Sequence, residues 1–75
     1  MQVLVVEDDM RLAQALGHIL KENGYDADVV HDGLTGLAYG EDGRYDVIIL
    51  DVMLPKMDGF AVASALRRKG VSTPV

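Results

Sequence analysis

The sequence predicts an α/β fold built on a parallel β-sheet, on three observations. Short, wholly apolar, largely β-branched runs recur, at Val3-Leu4-Val5-Val6 and Val47-Ile48-Ile49-Leu50. Between them lie stretches with apolar residues at helical spacing, long enough to cross over from one parallel strand to the next. Both runs end abruptly in acid, Glu7-Asp8-Asp9 after the first and Asp51 after the second. The carboxyl edge of a parallel sheet is where such folds hold ligands.

The run from Val3 to Val6 suits a strand covered on both faces. Asp9 then reads as the N-cap of a helix in which Leu12, Leu16, Ile19 and Leu20, with Ala13 and Ala15, recur at helical spacing, and Gly24 supplies the stop. From Tyr25 to Val30, Tyr25, Ala27 and Val29 alternate with Asp26 and Asp28, as an edge strand with one wetter face would. Asp32-Gly33 predicts a turn or cap. The stretch to Tyr39 reads as a short helix on Leu34, Leu37 and Ala38, weakened by Gly33, Gly36 and Gly40. After the polar turn Glu41-Asp42-Gly43-Arg44, the strand from Asp46 to Leu50 is the most apolar and is expected at the centre of the sheet. Beyond the loop from Asp51 to Asp58, Asp58 is placed to cap a helix from Gly59 to Lys69, with Phe60, Val62, Ala63 and Leu66 as its apolar stripe and Gly59 easing the turn into it. Thr73-Pro74-Val75 reads as the first step of a fourth strand, because Pro is tolerated where a strand begins.

At 75 residues the chain lies below the usual domain size of about 100–150 residues, so one small core is the most it builds. Its apolar content of 49% with 25% charged residues is that of a globular protein. Seven Lys and Arg stand against 12 Asp and Glu, for a net charge of -5, which disfavours nucleic acid as a direct partner. The one basic cluster, Arg67-Arg68-Lys69, is placed to offset the negative end of a helix dipole. No cysteine is present, so thiolate metal sites are excluded. With no apolar run near the ~20 residues of a membrane span and no basic-then-apolar leader pattern, a cytoplasmic location is the expectation, with no membrane partner.

Periodicity alone does not say which strands are neighbours. If the first and third pair, their terminal acids converge, because adjacent parallel strands lie about 4.8 Å apart. Converging carboxylates repel unless protonated or neutralised. A hard cation resolves the repulsion, and Mg²⁺ suits one or two carboxylates plus waters and a phosphate oxygen. Beside such an ion an aspartate can act as a nucleophile and form an aspartyl phosphate.

Val5-Val6-Glu7-Asp8-Asp9 after the first strand, Leu50-Asp51 after the third, and Leu54-Pro55-Lys56-Met57-Asp58-Gly59 beyond it resemble the response-regulator receiver domain of two-component signalling, in register over the whole chain. The resemblance implies a flavodoxin-like, three-layer fold of sheet order 2-1-3-4-5, here reaching β1-α1-β2-α2-β3-α3 and the start of β4, so that residues 1–75 form a partial receiver domain. It further implies that Asp51 accepts a phosphoryl group from a phosphohistidine on a sensor histidine kinase. Asp8 would be the more direct Mg²⁺ ligand, Glu7 would act partly through water, and Met53 would offer its backbone carbonyl. Lys56, in the loop beside the site, receives no role. The module so implied is a signalling switch and not an enzyme, belonging to a transcription or signalling regulator.

The same resemblance places a Ser or Thr at the end of the fourth strand and a Lys at the end of the fifth, beyond Val75, and Thr73 is not that hydroxyl. Without them, transfer to Asp51 is expected to be weak. A second reading makes the chain a half-flavodoxin structural fragment that folds by homo-oligomerisation or exchange of elements, because exposed sheet edges and apolar patches recruit partners. A third, a phosphatase of the dehalogenase type, fits less well, because its nucleophile follows the first strand in an Asp-x-Asp pattern where this chain has Glu7-Asp8-Asp9. His18 and His31 have no ligand spacing and are expected to face solvent; Asp9 and Asp58 are expected to be caps.

Overall fold

A computed structural model describes residues 1–75. Its elements run β1 (Gln2–Val6), α1 (Met10–Glu22), β2 (Asp26–Val30), α2 (Gly33–Gly40), β3 (Val47–Leu50) and α3 (Gly59–Arg68). The strands form one parallel sheet in the order β2-β1-β3. The α/β class and the flavodoxin-like arrangement anticipated from the sequence are what the chain adopts.

All three helices begin on the acids expected to cap them. Asp9 accepts from the backbone N–H of Arg11 at 3.0 Å and of Leu12 at 3.2 Å, Asp32 from Thr35 at 2.8 Å and Asp58 from Ala61 at 2.9 Å. Each such cap stabilises its helix by about 1 kcal/mol. Gly24 ends α1 in the left-handed region at φ 84, where a side chain would be strained.

The central strand is β1 and not β3, which corrects the expectation drawn from apolarity. Val3, Leu4, Val5 and Val6 are all buried, whereas β3 leaves Ile49 38% exposed. Apolarity tracks how well the two faces of a strand are covered, and says nothing about which strands flank its edges. On its far side the Ile48 N–H donates to the Pro74 carbonyl at 2.8 Å, so the chain after α3 returns alongside β3 as the expected fourth strand would, although residues 71–75 form no strand of their own.

Alternation along β1 divides the core between two faces. Leu4 and Val6 join Val30, Tyr45, Ile48, Val62 and Leu66 in one buried cluster under α2 and α3, while α1 covers the other face of β1 and β2 through Ala13. The helix α2 lies close on the sheet: a Cβ at Gly36 would stand 2.8 Å from both γ carbons of Val6. The glycines that weaken α2 by propensity thus permit its approach to β1.

Two apolar stripes differ from expectation. The helix α3 buries Val62, Ala65 and Leu66 and turns Phe60 outward at 74% exposure. In α1, Leu12 and Ile19 are exposed and only Ala13 is fully buried. Tyr45, which the sequence did not single out, is buried just ahead of β3 and donates its hydroxyl to Asp28 Oδ2 at 2.6 Å. That bond satisfies a polar group that the core would otherwise penalise.

Candidate functional site

The site is set by how β1 and β3 end together. Their register pairs Val6 with Leu50, and the Asp51 N–H donates to the Val6 carbonyl at 3.1 Å. Glu7 and Asp8 therefore leave β1 beside Asp51 as it leaves β3. One carboxylate oxygen from each of Glu7, Asp8 and Asp51 lies within 4.8 Å of the others. The pairing left open by periodicity is thus the one that makes the acids converge.

Each acid is held differently. Glu7 is buried, extends the β1–β2 pairing with a 3.0 Å bond from its N–H to the Val30 carbonyl, and accepts from the Asp9 N–H at 3.2 Å through Oε2. Asp51 is half-buried, with Oδ1 3.4 Å from the Met53 N–H; Asp8 is exposed. Met53 turns its side chain outward at 81% exposure, so only its backbone could serve a ligand here.

Neighbouring segments fix the loop that carries Asp51. The Gly59 N–H donates to the Val52 carbonyl at 2.8 Å, and a Cβ at Gly59 would collide with the Asp51 carbonyl oxygen. Glycine is required there by this close approach, and not by the unusual turn conformation that the sequence suggested, since Gly59 does not adopt positive φ. On the other side, the Gly33 N–H donates to the Pro55 carbonyl at 3.2 Å, and a Cβ there would strike the Met57 carbonyl. Lys56 sits in the left-handed region at φ 69, its Nζ 3.8 Å from Asp32 Oδ2, turned toward the start of α2.

Burial pushes the Glu7 carboxyl above its ordinary range; the Asp9 N–H opposes this, and the neighbouring Asp51 and Asp8 carboxylates add to it. A site made only of oxygen donors, whose converging carboxylates repel one another unless neutralised, fits a hard divalent cation such as Mg²⁺. Asp9 and Asp58 are caps as expected, and His18 is exposed, 3.2 Å from Glu22. His31 departs from expectation: it is half-buried, and its Nδ1 lies 3.1 Å from the Glu7 carbonyl. No spacing in the sequence marks this contact, which exists only once β2 has paired with β1.

The raised Glu7 value has a stability consequence. A carboxyl whose folded pKa exceeds its unfolded one contributes stability below the ordinary carboxylate range, and that contribution is lost as pH rises through the folded value. In metal-free solution, Glu7→Gln is therefore expected to match the parent in unfolding free energy near about pH 4 and to become the more stable of the two toward about pH 8. Urea denaturation at both values checks this; a difference independent of pH would contradict it.

Comparison with known proteins agrees with this arrangement. Residues 3–75 match the model of the response regulator receiver domain. The transcriptional activator protein IrlR of Burkholderia pseudomallei is 51% identical over 75 residues, covering 100% of this chain and 32% of IrlR. The receiver domain of the Francisella response regulator 1452 superposes with a TM-score of 0.94 at 39% identity, over 99% of this chain and 61% of that one. The response regulator TrrA of Thermotoga maritima, solved in complex with Mg²⁺-BeF, gives a TM-score of 0.85 at 35% identity, over 91% of this chain and 59% of that one. The chain spans about a third of the length of the curated relatives it matches. It belongs to the response regulator receiver domain family.

Proposed function

We propose that this chain is a Mg²⁺-dependent phosphoacceptor, in which Asp51 takes a phosphoryl group from a phosphohistidine on a sensor histidine kinase. Receiver domains are signalling modules of two-component systems and interact with such kinases. The observation that carries the reading is the convergence of Glu7, Asp8 and Asp51 at the ends of β1 and β3.

In this reading Asp8 and Asp51 hold the ion directly, Glu7 acts partly through water, and Met53 offers its backbone carbonyl. Bound there, Mg²⁺ would offset the repulsion between the carboxylates and the incoming phosphoryl group. An Asp51 carboxylate oxygen forms the new bond to phosphorus as the P–N bond of the donor breaks, and the leaving imidazole takes up a proton. Burial of Glu7 and the Gly59 contact keep the loop in place while this occurs. The Ser or Thr and the Lys expected on a fourth and fifth strand are not among these 75 residues. For this chain by itself, we therefore expect transfer to be slow. No helix is long and apolar enough to cross a membrane, and the net charge of -5 argues against direct contact with nucleic acid.

Exposed apolar residues favour a second reading, in which the chain self-associates. Ile49, Val52, Phe60 and Val75 are exposed, and Leu50, Val52, Phe60, Ala63 and Val75 line one shallow apolar depression beside β3. A second copy of the chain seated there would cover it.

Incubation with a small phosphodonor and Mg²⁺, followed by intact mass measurement, is expected to give a small phosphoryl gain that needs Mg²⁺ and vanishes in Asp51→Asn. An equal gain in Asp51→Asn would move the acceptor elsewhere, and no gain at any donor concentration would leave only the structural reading. Light scattering during size exclusion is expected to give a dimer or higher species, and a compact folded monomer would sink the self-association.

A further inference from the structure

The Glu7 carbonyl takes its hydrogen bond from a side chain, and the backbone explains why. The Glu7 N–H donates to the carbonyl of Val30, the last residue of β2, at 3.0 Å, continuing the β1–β2 ladder one step past the end of β1. The next rung of a parallel ladder would bring the N–H of residue 32 to the Glu7 carbonyl. Asp32 has instead turned away to cap α2. The His31 ring stands in its place, with Nδ1 3.1 Å from the carbonyl oxygen. A carbonyl only accepts, so Nδ1 carries the proton. The ring lines a groove with Met10, Ala13 and Val29, under α1.

The bonded carbonyl belongs to the peptide that joins Glu7 to Asp8. That unit is planar, so holding its oxygen sets the direction in which both residues leave it. These are the two acids that β1 contributes to the cluster with Asp51. We propose that His31 is a positioning residue for this acidic pair: its Nδ1–H holds the Glu7–Asp8 peptide so that both carboxylates meet Asp51 around one divalent cation. The proposal rests on the metal reading above. The contact needs no charge on the ring, since a neutral imidazole carrying its proton on Nδ1 is a donor.

The test is Mg²⁺ affinity of the full chain, followed by NMR through the Asp8 and Asp51 amides, in the parent, His31→Ala and His31→Asn. The Asn side-chain N–H reaches the position of Nδ1 and can replace the donor. His31→Ala is expected to bind Mg²⁺ about tenfold more weakly, with the Asn variant recovering most of the loss, although the two variants unfold at similar urea concentrations. A purely structural role would move affinity and unfolding together across the variants, and that result would overturn the proposal. Equal affinity in His31→Ala and the parent would overturn the His31 role alone. A parent that takes up no Mg²⁺ would overturn the metal reading and this inference with it. Long-range proton–nitrogen spectra of the unmodified chain supply a check without mutation: Nδ1 is expected to be protonated, and a ring protonated only at Nε2 would contradict the proposal.

Discussion

The register between β1 and β3 is the constraint on which the rest of the structure depends. A slip of one residue would move Asp51 about 3.3 Å along its strand and turn its side chain to the other face of the sheet. Hydrophobic alternation cannot choose that register, because Val3–Val6 and Val47–Leu50 are apolar on both faces. Polar contacts at the base of the ladder do so. The Gln2 N–H donates to Asp46 Oδ2 and the Asp46 N–H donates to the Gln2 carbonyl, both at 2.7 Å. From that anchor the pairing runs to the 3.1 Å bond between the Asp51 N–H and Val6, where the acids meet. Burying the four apolar residues of β1 then stabilises the arrangement by roughly 1.5–3 kcal/mol per large side chain.

Convergence of carboxylates opposes folding unless something holds the segments against their repulsion. Here close backbone approaches supply the restraint. Gly59 brings the start of α3 against the Asp51–Val52 backbone, Gly33 brings the start of α2 against Met57, and Gly36 lets α2 settle on Val6. Leu54 and Met57, packed on the buried cluster, tie the same loop to the core. The loop is therefore fixed from both flanking helices and from below, and the cost of holding like charges together falls on Glu7, whose burial already disfavours its ionised form.

Much of this was legible in the sequence because local chemistry decides it. Helix starts follow from side chains that satisfy nearby N–H groups, so Asp9, Asp32 and Asp58 could be read as caps without knowledge of the fold. The two acid-tipped runs identified the edge of the sheet that carries Glu7, Asp8 and Asp51. What was not legible depends on contacts distant along the chain. The central place of β1 follows from pairing at both its edges, and apolar content is blind to that. The outward turn of Phe60 follows from α3 presenting Val62, Ala65 and Leu66 to the cluster, a choice among several apolar residues that helical spacing leaves open. Tyr45 reaches Asp28 across 17 residues, and His31 reaches Glu7 across 24. Neither pair has a sequence signature, because each exists only once the parallel crossovers have been made.

In the function we propose, one divalent cation is held where β1 and β3 end. Replacing Mg²⁺ by paramagnetic Mn²⁺ at low occupancy and recording the amide spectrum tests it most directly, since only nuclei near the ion lose intensity. Selective loss is expected at Glu7, Asp8, Asp51 and Met53, reversed by excess Mg²⁺. Loss centred instead on the exposed acids Asp26, Glu41, Asp42 or Asp46, or spread evenly over the chain, would contradict it.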